Sequence, residues 1–262
     1  MHILLGRSSR LKLTSKLMVV LMSAMLAACQ APSIRPINTS AKLVAEPVVS
    51  IPRIDCGATL SPADDLTRSV VVERVREGSY YAALAQVQSL PASVPVVAVL
   101  RADILRRLKS PEARLWYLAM RDRCVSADAD HGLGLLAADA GEHATAHRYL
   151  QQAAKARPNN ANFRNDLGFS AMLIGNDQQS EFELRTAYEL AREDRTAGFN
   201  LMLLSLITGD RATWWRWRER LSPKEAERMD LLKACREVMH QRQTLGSNVD
   251  ALKQNCPINP LS

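Results

Sequence analysis

His143 and His147 stand four residues apart beside Glu142, a spacing that places two imidazoles on one face of a helix. Such a pair could hold a metal ion, but the HExxH order and a further ligand at a suitable spacing are absent. The sequence also has no GxSxG motif, no phosphate-binding glycine loop and no nucleophile with an evident base. We therefore interpret both histidines as solvated helix surface, and we expect no metal, no cofactor and no enzymatic activity.

The chain has five cysteines, and Cys29 stands apart from the rest because it directly follows an apolar run. The other four allow three disulfide pairings in an oxidising compartment. We favour Cys56–Cys124, which would join the start of the folded region to its third helical hairpin element, and Cys235–Cys256, which would close a local hairpin. A metal site and four unpaired buried thiols are the alternatives.

The first 28 residues have the pattern of a targeting segment. Four basic residues precede a ten-residue apolar run, Leu17–Leu26, which is too short to span a bilayer comfortably. The segment Leu26-Ala27-Ala28-Cys29 resembles the lipobox of bacterial lipoproteins. That resemblance implies cleavage before Cys29, acylation of its sulfur and amino group, and stable anchoring, usually at the outer membrane because Ala31 is not aspartate.

Removal of this segment changes the meaning of the net charge. The whole chain carries +7, but residues 1–28 hold four of its 34 basic residues and none of its 27 acidic ones. The remaining chain therefore carries +3, and the argument for nucleic-acid binding loses most of its support. Residues 29–55, rich in proline, follow as a tether that is either extended or packed along the folded region.

A 34-residue repeat organises the rest of the chain. Gly141, Gly175 and Gly209 recur at this interval, as do Leu133, Leu167 and Leu201. The Leu-Gly pairs at 133–134 and 167–168, and the small residues at 146 and 180, resemble the tetratricopeptide repeat. The resemblance implies an all-α helix–turn–helix solenoid, with small residues where helices touch and the recurring glycines at helix ends.

Helix signals extend the array in both directions. Ser61-Pro62, Ser110-Pro111 and Ser222-Pro223 are predicted helix starts, and Ser222 with Glu225 forms a predicted capping box. The predicted helices cover residues 62–77, 80–90, 94–108, 111–125, 127–140, 143–156, 161–174, 177–191, 195–208, 211–221, 223–243 and 248–255. The predicted domains are a signal peptide at 1–28, a lipidated tether at 29–55, degenerate repeats at 56–126, a repeat core at 127–210 and C-terminal capping helices with a tail at 211–262.

In tetratricopeptide proteins the first helix of each hairpin lines a binding groove. Transferred by repeat position, this groove would be an apolar surface with a few polar groups, suited to an extended or helical protein segment. Alternatively, the array or the tether covers some of these positions. The predicted groove residues are His131, Leu135, Asn165, Phe169, Met172, Phe199, Leu203 and Leu206.

The segment Trp214-Trp215-Arg216-Trp217-Arg218 is a second candidate for contact with a partner or a membrane interface. Trp214, Trp217 and Leu221 share one helix face, so we expect them to pack in the core. Trp215 is then the candidate for an exposed anchor.

The segments 165–170, 184–187 and 199–204 are similar to repeats of TadD-type lipoproteins of tight-adherence (Flp) pilus systems. This resemblance implies an outer-membrane lipoprotein on the periplasmic side that helps a secretin reach the membrane and form multimers, the role of a pilotin. The alternative is a scaffold lipoprotein that regulates peptidoglycan or other envelope machinery without a pilus link.

Overall fold

The computed structural model describes residues 50–246 and Cys256, and all regular secondary structure in this part of the chain is α-helical. The all-α fold is therefore confirmed, whereas the predicted helix at 248–255 lies outside the described residues. The helices are α1 (Pro62–Arg76), α2 (Tyr80–Val87), α3 (Pro95–Arg107), α4 (Glu112–Met120), α5 (Ser126–Asp139), α6 (His143–Ala156), α7 (Ala161–Leu173), α8 (Asp177–Leu190), α9 (Thr196–Thr208), α10 (Arg211–Leu221) and α11 (Glu225–Thr244).

The first ten helices pair along the chain as five hairpins, from α1–α2 to α9–α10. Within a hairpin the two helices approach closely where a glycine replaces a larger residue. A Cβ atom on Gly134 would lie 2.8 Å from the Cγ atom of Leu150, and a Cβ atom on Gly168 would lie 2.7 Å from that of Leu184. Because Cβ atoms do not reach such distances, the Leu-Gly pairs of the repeat are required by packing.

The predicted helix stops are also present. Gly141, Gly175 and Gly209 have φ angles of 77°, 81° and 74°, in the left-handed region that ends a helix without a Cβ penalty. The hairpin α3–α4, which belongs to the degenerate repeats, has Lys109 with φ 56° at the corresponding turn. The backbone turn is thus retained where the glycine is not.

Two of the predicted helix starts differ in their outcome. The hydroxyl of Ser61 accepts a hydrogen bond from the amide of Asp64 at 3.1 Å, as expected of an N-cap. Ser222 instead ends α10 in a left-handed conformation, so the Ser222–Glu225 capping box is wrong. Helix α11 begins at Glu225, and Glu227 accepts a hydrogen bond from the Lys224 amide at 2.7 Å. Helix α11 starts later than the predicted residue 223 because Ser222 and Pro223 form the bend between α10 and α11.

The last helix, α11, packs against α9 and α7. Its apolar residues join those of the last two hairpins in one core cluster. This helix, which lies in the predicted capping region at 211–262, thus covers an apolar face of the array. The covered face is formed by the first helices of two successive hairpins.

Residues 50–56 pack onto the array before α1 begins. Ile54 is buried among residues of α3, α4 and α5, and the amide of Asp55 donates to the carbonyl of Ser93 at 2.9 Å. Both favoured disulfides are present, Cys56–Cys124 and Cys235–Cys256, each with a Cα–Cα distance of 5.9 Å. No helix in the described ranges is long and apolar enough to cross a membrane.

Candidate functional site

The first helices of successive hairpins form a groove face, which we divide into an open half and a covered half. Helices α3, α5 and the first half of α7 form the open half, where a cavity of about 1280 Å³ lies. Helices α7 and α9 form the covered half, over which α11 lies. The repeat therefore presents one surface that continues from an accessible region into a buried one.

The open half combines apolar and charged side chains. Its apolar part includes Val96, Val99, Leu100, Leu136 and Phe163, which line the cavity from three different helices. The apolar area could bind the apolar side of a helical or extended segment, while the charged groups could fix its orientation. The ionisable side chains around the same cavity include Arg68, Asp103, Arg106, Arg107, Lys109, Asp128, His131, Asp139, Arg157 and Asp166.

Asp103 lies at the centre of an ion-pair network on this surface. It accepts hydrogen bonds from Arg106 at 2.9 Å and from Arg107 at 2.8 Å, and Arg106 also donates to Asp139 of α5 at 3.1 Å. Burial raises the pKa of the Asp103 carboxyl, but Arg106 and Arg107 together lower it by more, so its net pKa is below the ordinary value. The network connects α3 to α5 and fixes charges of both signs beside the apolar surface.

A second polar network joins α5, α7 and α9. Nε2 of His131 lies 2.8 Å from Oδ2 of Asp166, whose other oxygen accepts from Asn165 at 3.1 Å. Nδ2 of Asn200 donates to Oδ1 of Asn165 at 2.8 Å. The imidazole of His131 also stacks on Phe163, with ring centroids 4.4 Å apart. Repeat transfer identified His131 and Asn165, but it missed Asp166 and Asn200.

The spacing explains why those two residues were missed. Both bonds between helices, His131–Asp166 and Asn165–Asn200, join residues 35 apart in the sequence. A comparison of residues 34 apart therefore matches His131 with Asn165, although its hydrogen-bond partner is the next residue, Asp166. A search for polar pairs offset by one residue from the period would have found both.

In the covered half, the predicted groove residues contact α11 or lie in the core beneath it. Phe169, Met172, Leu203 and Leu206 are buried in the same cluster as the apolar residues of α11. Phe199 is partly buried against this cluster, with the guanidinium of Arg195 4.9 Å from its ring centroid. These five positions face the groove, but the chain itself supplies the helix that covers them. The α11 residues in this cluster are Leu231, Leu232, Cys235, Val238 and Met239.

Arg242 fastens α11 at one end of the covered half, and sequence reasoning did not identify it. Only 2% of this arginine is exposed. Its Nε donates to the carbonyl of Met172 at 2.7 Å, and its guanidinium forms an ion pair with Asp177 at the start of α8. Arginine is otherwise rarely buried so deeply, and here each contact satisfies a donor that would be costly to bury unpaired.

The other predicted residues are distributed as follows. His131 is half-buried and Leu135 is 7% exposed, and both line the open half. Asn165 is buried within the polar network. Trp214 and Trp217 are in the core cluster, whereas Trp215 is 56% exposed. Cys29 lies outside the described residues.

The remaining chemistry of the described residues is limited. No group of three His, Cys, Asp or Glu side chains in residues 50–246 or Cys256 is placed to hold a metal ion. His143 and His147 lie on α6 and are only partly exposed, and the Nδ1 atom of each is shielded from solvent. Burial lowers the pKa of His147. The arrangement of the site is that of a binding surface.

Comparison with known proteins gives one close relative, while no family model matches the chain. A tetratricopeptide repeat-containing protein of Pseudomonas aeruginosa, PA4299, is 39% identical over 167 residues, which cover 64% of this chain and 68% of the relative. Among solved structures, MamA of Desulfovibrio magneticus RS-1 has a TM-score of 0.47 at 17% identity, covering 65% of this chain and 98% of MamA. PilW, described as a type IV pilus biogenesis factor, has a TM-score of 0.44 at 14% identity, covering 66% of this chain and all of PilW.

Proposed function

The chain belongs to the tetratricopeptide repeat-containing proteins, and from this premise we propose that it is a periplasmic adaptor anchored at the outer membrane through Cys29. The open half of the groove binds a segment of a protein partner. The protein acts by confining that partner near the membrane, which raises its local concentration there. No catalytic step is part of this role.

The proposal rests on one difference between the two halves of the groove: α11 covers one half, whereas the other half is open. In the covered half this face binds α11, a helix with an apolar stripe and an arginine at one end. In the open half the face continues as a cavity of about 1280 Å³ with exposed Val96 and half-buried Leu136. We infer that the partner supplies an amphipathic segment, with apolar side chains on Val99 and Leu136 and charged side chains near Asp128 and Asp139.

The sequence supports a more specific partner. The repeat segments at 165–170, 184–187 and 199–204 resemble those of TadD-type lipoproteins of Flp pilus systems, and the lipobox at Cys29 agrees with that group. We therefore propose that the partner is a secretin or another component of pilus assembly, and that the protein supports pilus formation as a pilotin.

A photoreactive amino acid at single positions in the cell tests the groove directly. Val96 of α3 is 45% exposed and lines the open half, whereas Leu115 of α4 is 48% exposed and does not line it. The two sites therefore offer the crosslinker similar exposure on different faces. We expect a crosslinked partner at Val96 and little or none at Leu115, identified by mass spectrometry.

The identity of the crosslinked protein decides between the two roles. A secretin crosslinked at Val96, together with loss of outer-membrane secretin multimers in a Cys29→Ser strain, supports the pilotin role. Cell-wall enzymes at Val96, with unchanged secretin multimers, would instead support a scaffold of envelope machinery. Equal crosslinking at Val96 and Leu115 would contradict the groove as the binding surface.

A further inference from the structure

A second surface, on α8 and α10, carries several arginines that form no direct ion pair within the described residues. Helix α10 holds four arginines and one glutamate within eleven residues. Arg218 and Arg220 form no ion pair within the described residues, and neither do Arg192 and Arg211. Arg216 also lacks a direct ion pair there, but it donates to the hydroxyl of Thr213 at 2.7 Å, and its charge helps to lower the pKa of Asp210. In contrast, Arg185 on α8 is paired with Glu181 at 2.7 Å. Unpaired surface arginines concentrated on one helix create a local positive potential.

Aromatic rings contact two of these arginines, Arg218 and Arg220. The guanidinium of Arg218 lies 4.6 Å from the ring centroid of Trp215, and that of Arg220 lies 5.5 Å from the ring of Trp217. Stacking uses the planar face of a guanidinium and leaves its N–H edges available, and those edges match the geometry of phosphate oxygens. The guanidinium groups of Arg218 and Arg220 therefore contact a ring and still have N–H groups that could bind an anion.

The surface also has concave sites of the size of a lipid headgroup. Two adjoining cavities of about 470 Å³ share Arg185, Trp217 and Arg220 in their walls. Each cavity also contains one carboxylate, Glu189 or Glu219, so the lining is cationic overall but not exclusively so. Beside them, Trp215 exposes 56% of its surface to solvent. An exposed tryptophan next to arginines is characteristic of side chains that lie at a membrane–water interface.

We propose that the α8–α10 surface docks on an anionic membrane, with Arg216, Arg218 and Arg220 at lipid phosphates and Trp215 at the interface. This inference concerns a surface separate from the groove. It uses the predicted anchor at Cys29 only as the reason that a membrane is nearby. Docking through α10 would fix the orientation of the anchored protein.

The test uses the mature protein purified from its own membrane and reconstituted into two kinds of vesicle. One contains phosphatidylglycerol with phosphatidylethanolamine, the other only phosphatidylcholine, and each includes brominated acyl chains that quench tryptophan fluorescence on contact. Flotation with both kinds of vesicle measures anchoring separately from docking. We expect strong quenching only in anionic vesicles, and its loss in Trp215→Phe, because the other three tryptophans are buried.

Charge-reversed variants identify the residues responsible. Arg216→Glu/Arg218→Glu should shift the docking equilibrium by more than roughly thirtyfold toward the undocked state, because two cations at an anionic surface are lost and two anions are added. Arg114→Glu/Arg236→Glu changes the same charge at exposed arginines on α4 and α11 and should retain docking. Arg216→Lys/Arg218→Lys keeps the charge and should retain docking, and circular dichroism of the glutamate variant checks that its helices are folded.

Three results would overturn the proposal. One is the same quenching in both kinds of vesicle, and another is the absence of quenching in anionic vesicles that the protein has joined. The third is protection of Trp215 from aqueous acrylamide in cell envelopes without any lipid quenching, since that would indicate a protein bound to this surface. Failure of docking leaves crosslinking at Val96 unaffected, so the two proposals are tested independently.

Discussion

The two halves of the groove use the same repeat positions with different side chains. Residues 131, 165 and 199 are His, Asn and Phe, and residues 138, 172 and 206 are Ala, Met and Leu. Toward the C-terminus the side chains at these positions become more apolar, and those at the second position also become larger than alanine. In that part of the groove α11 covers them. In the open half the polar residues form fixed networks around a smaller apolar area. The repeat backbone thus defines the groove, while side-chain polarity determines which half requires a permanent cover.

The comparison also indicates how a partner would be held. The contact between α11 and the covered half has an apolar centre and a polar contact near each end: Glu227 pairs with Arg195 at 3.5 Å, and Arg242 donates to a backbone carbonyl. The open half places charged side chains beside its apolar residues, so a partner there would bind less tightly per unit area and would be released more readily. That difference suits the proposed adaptor role, in which the partner is exchanged.

Truncation of an apolar side chain should cost much more in the covered half. Leu232 of α11 is fully buried, and we expect Leu232→Ala to lower the free energy of unfolding by about 3 kcal/mol, through lost burial and the cavity left behind. Leu136→Ala, in the open half, removes a partly exposed side chain and should cost only about 1 kcal/mol. Urea denaturation of both variants measures the two values. Equal losses would mean that the open half is packed as tightly as the covered one.

Removal of the arginine that fastens α11 should have the next largest effect. Arg242→Leu leaves the Met172 carbonyl without this donor and Asp177 without its partner, so we expect a loss of about 2 kcal/mol. Asp177 is 39% exposed and can be hydrated, which limits the cost. Arg236 lies on the same helix but is exposed, and Arg236→Leu should change stability by less than about 0.5 kcal/mol. A similar loss in both variants would contradict a specific role for Arg242.

The sequence is sufficient to predict the array but not the position of its cover. The 34-residue recurrence of Gly134 and Gly168 reflects a local contact between the two helices of one hairpin, and such contacts leave a periodic signal. The Arg242–Asp177 pair joins residues 65 apart outside any period, so nothing in the sequence pattern indicates that α11 lies along α7 and α9. An apolar stripe shows that a helix is covered, but it does not identify the surface that it covers.

Acid should affect the open half before the covered half, although this is the smallest of the expected effects. The net pKa of Asp103 in the folded protein is below its ordinary value of 3.8, because Arg106 and Arg107 outweigh the effect of burial. A carboxyl with a lowered folded-state pKa stabilises the fold above its unfolded-state pKa, and this stabilisation is lost as the pH falls toward the folded-state value. We expect hydrogen exchange of α3 and α5 amides to show reduced protection near about pH 3 relative to about pH 5, corrected for intrinsic rates, with α9 and α11 less affected.

The Asp103→Asn variant isolates the contribution of this carboxylate. At neutral pH it should be less stable than the natural chain, because Arg106 and Arg107 lose a charged partner. As the pH falls and the natural Asp103 becomes protonated, the two chains should converge in α3 and α5 protection. A constant difference across this pH range would show that Asp103 stabilises the open half by shape or neutral hydrogen bonding, and not by charge. Convergence would show that charge pairing adds to the apolar contacts that join α3 and α5, whereas the covered half is held by α11.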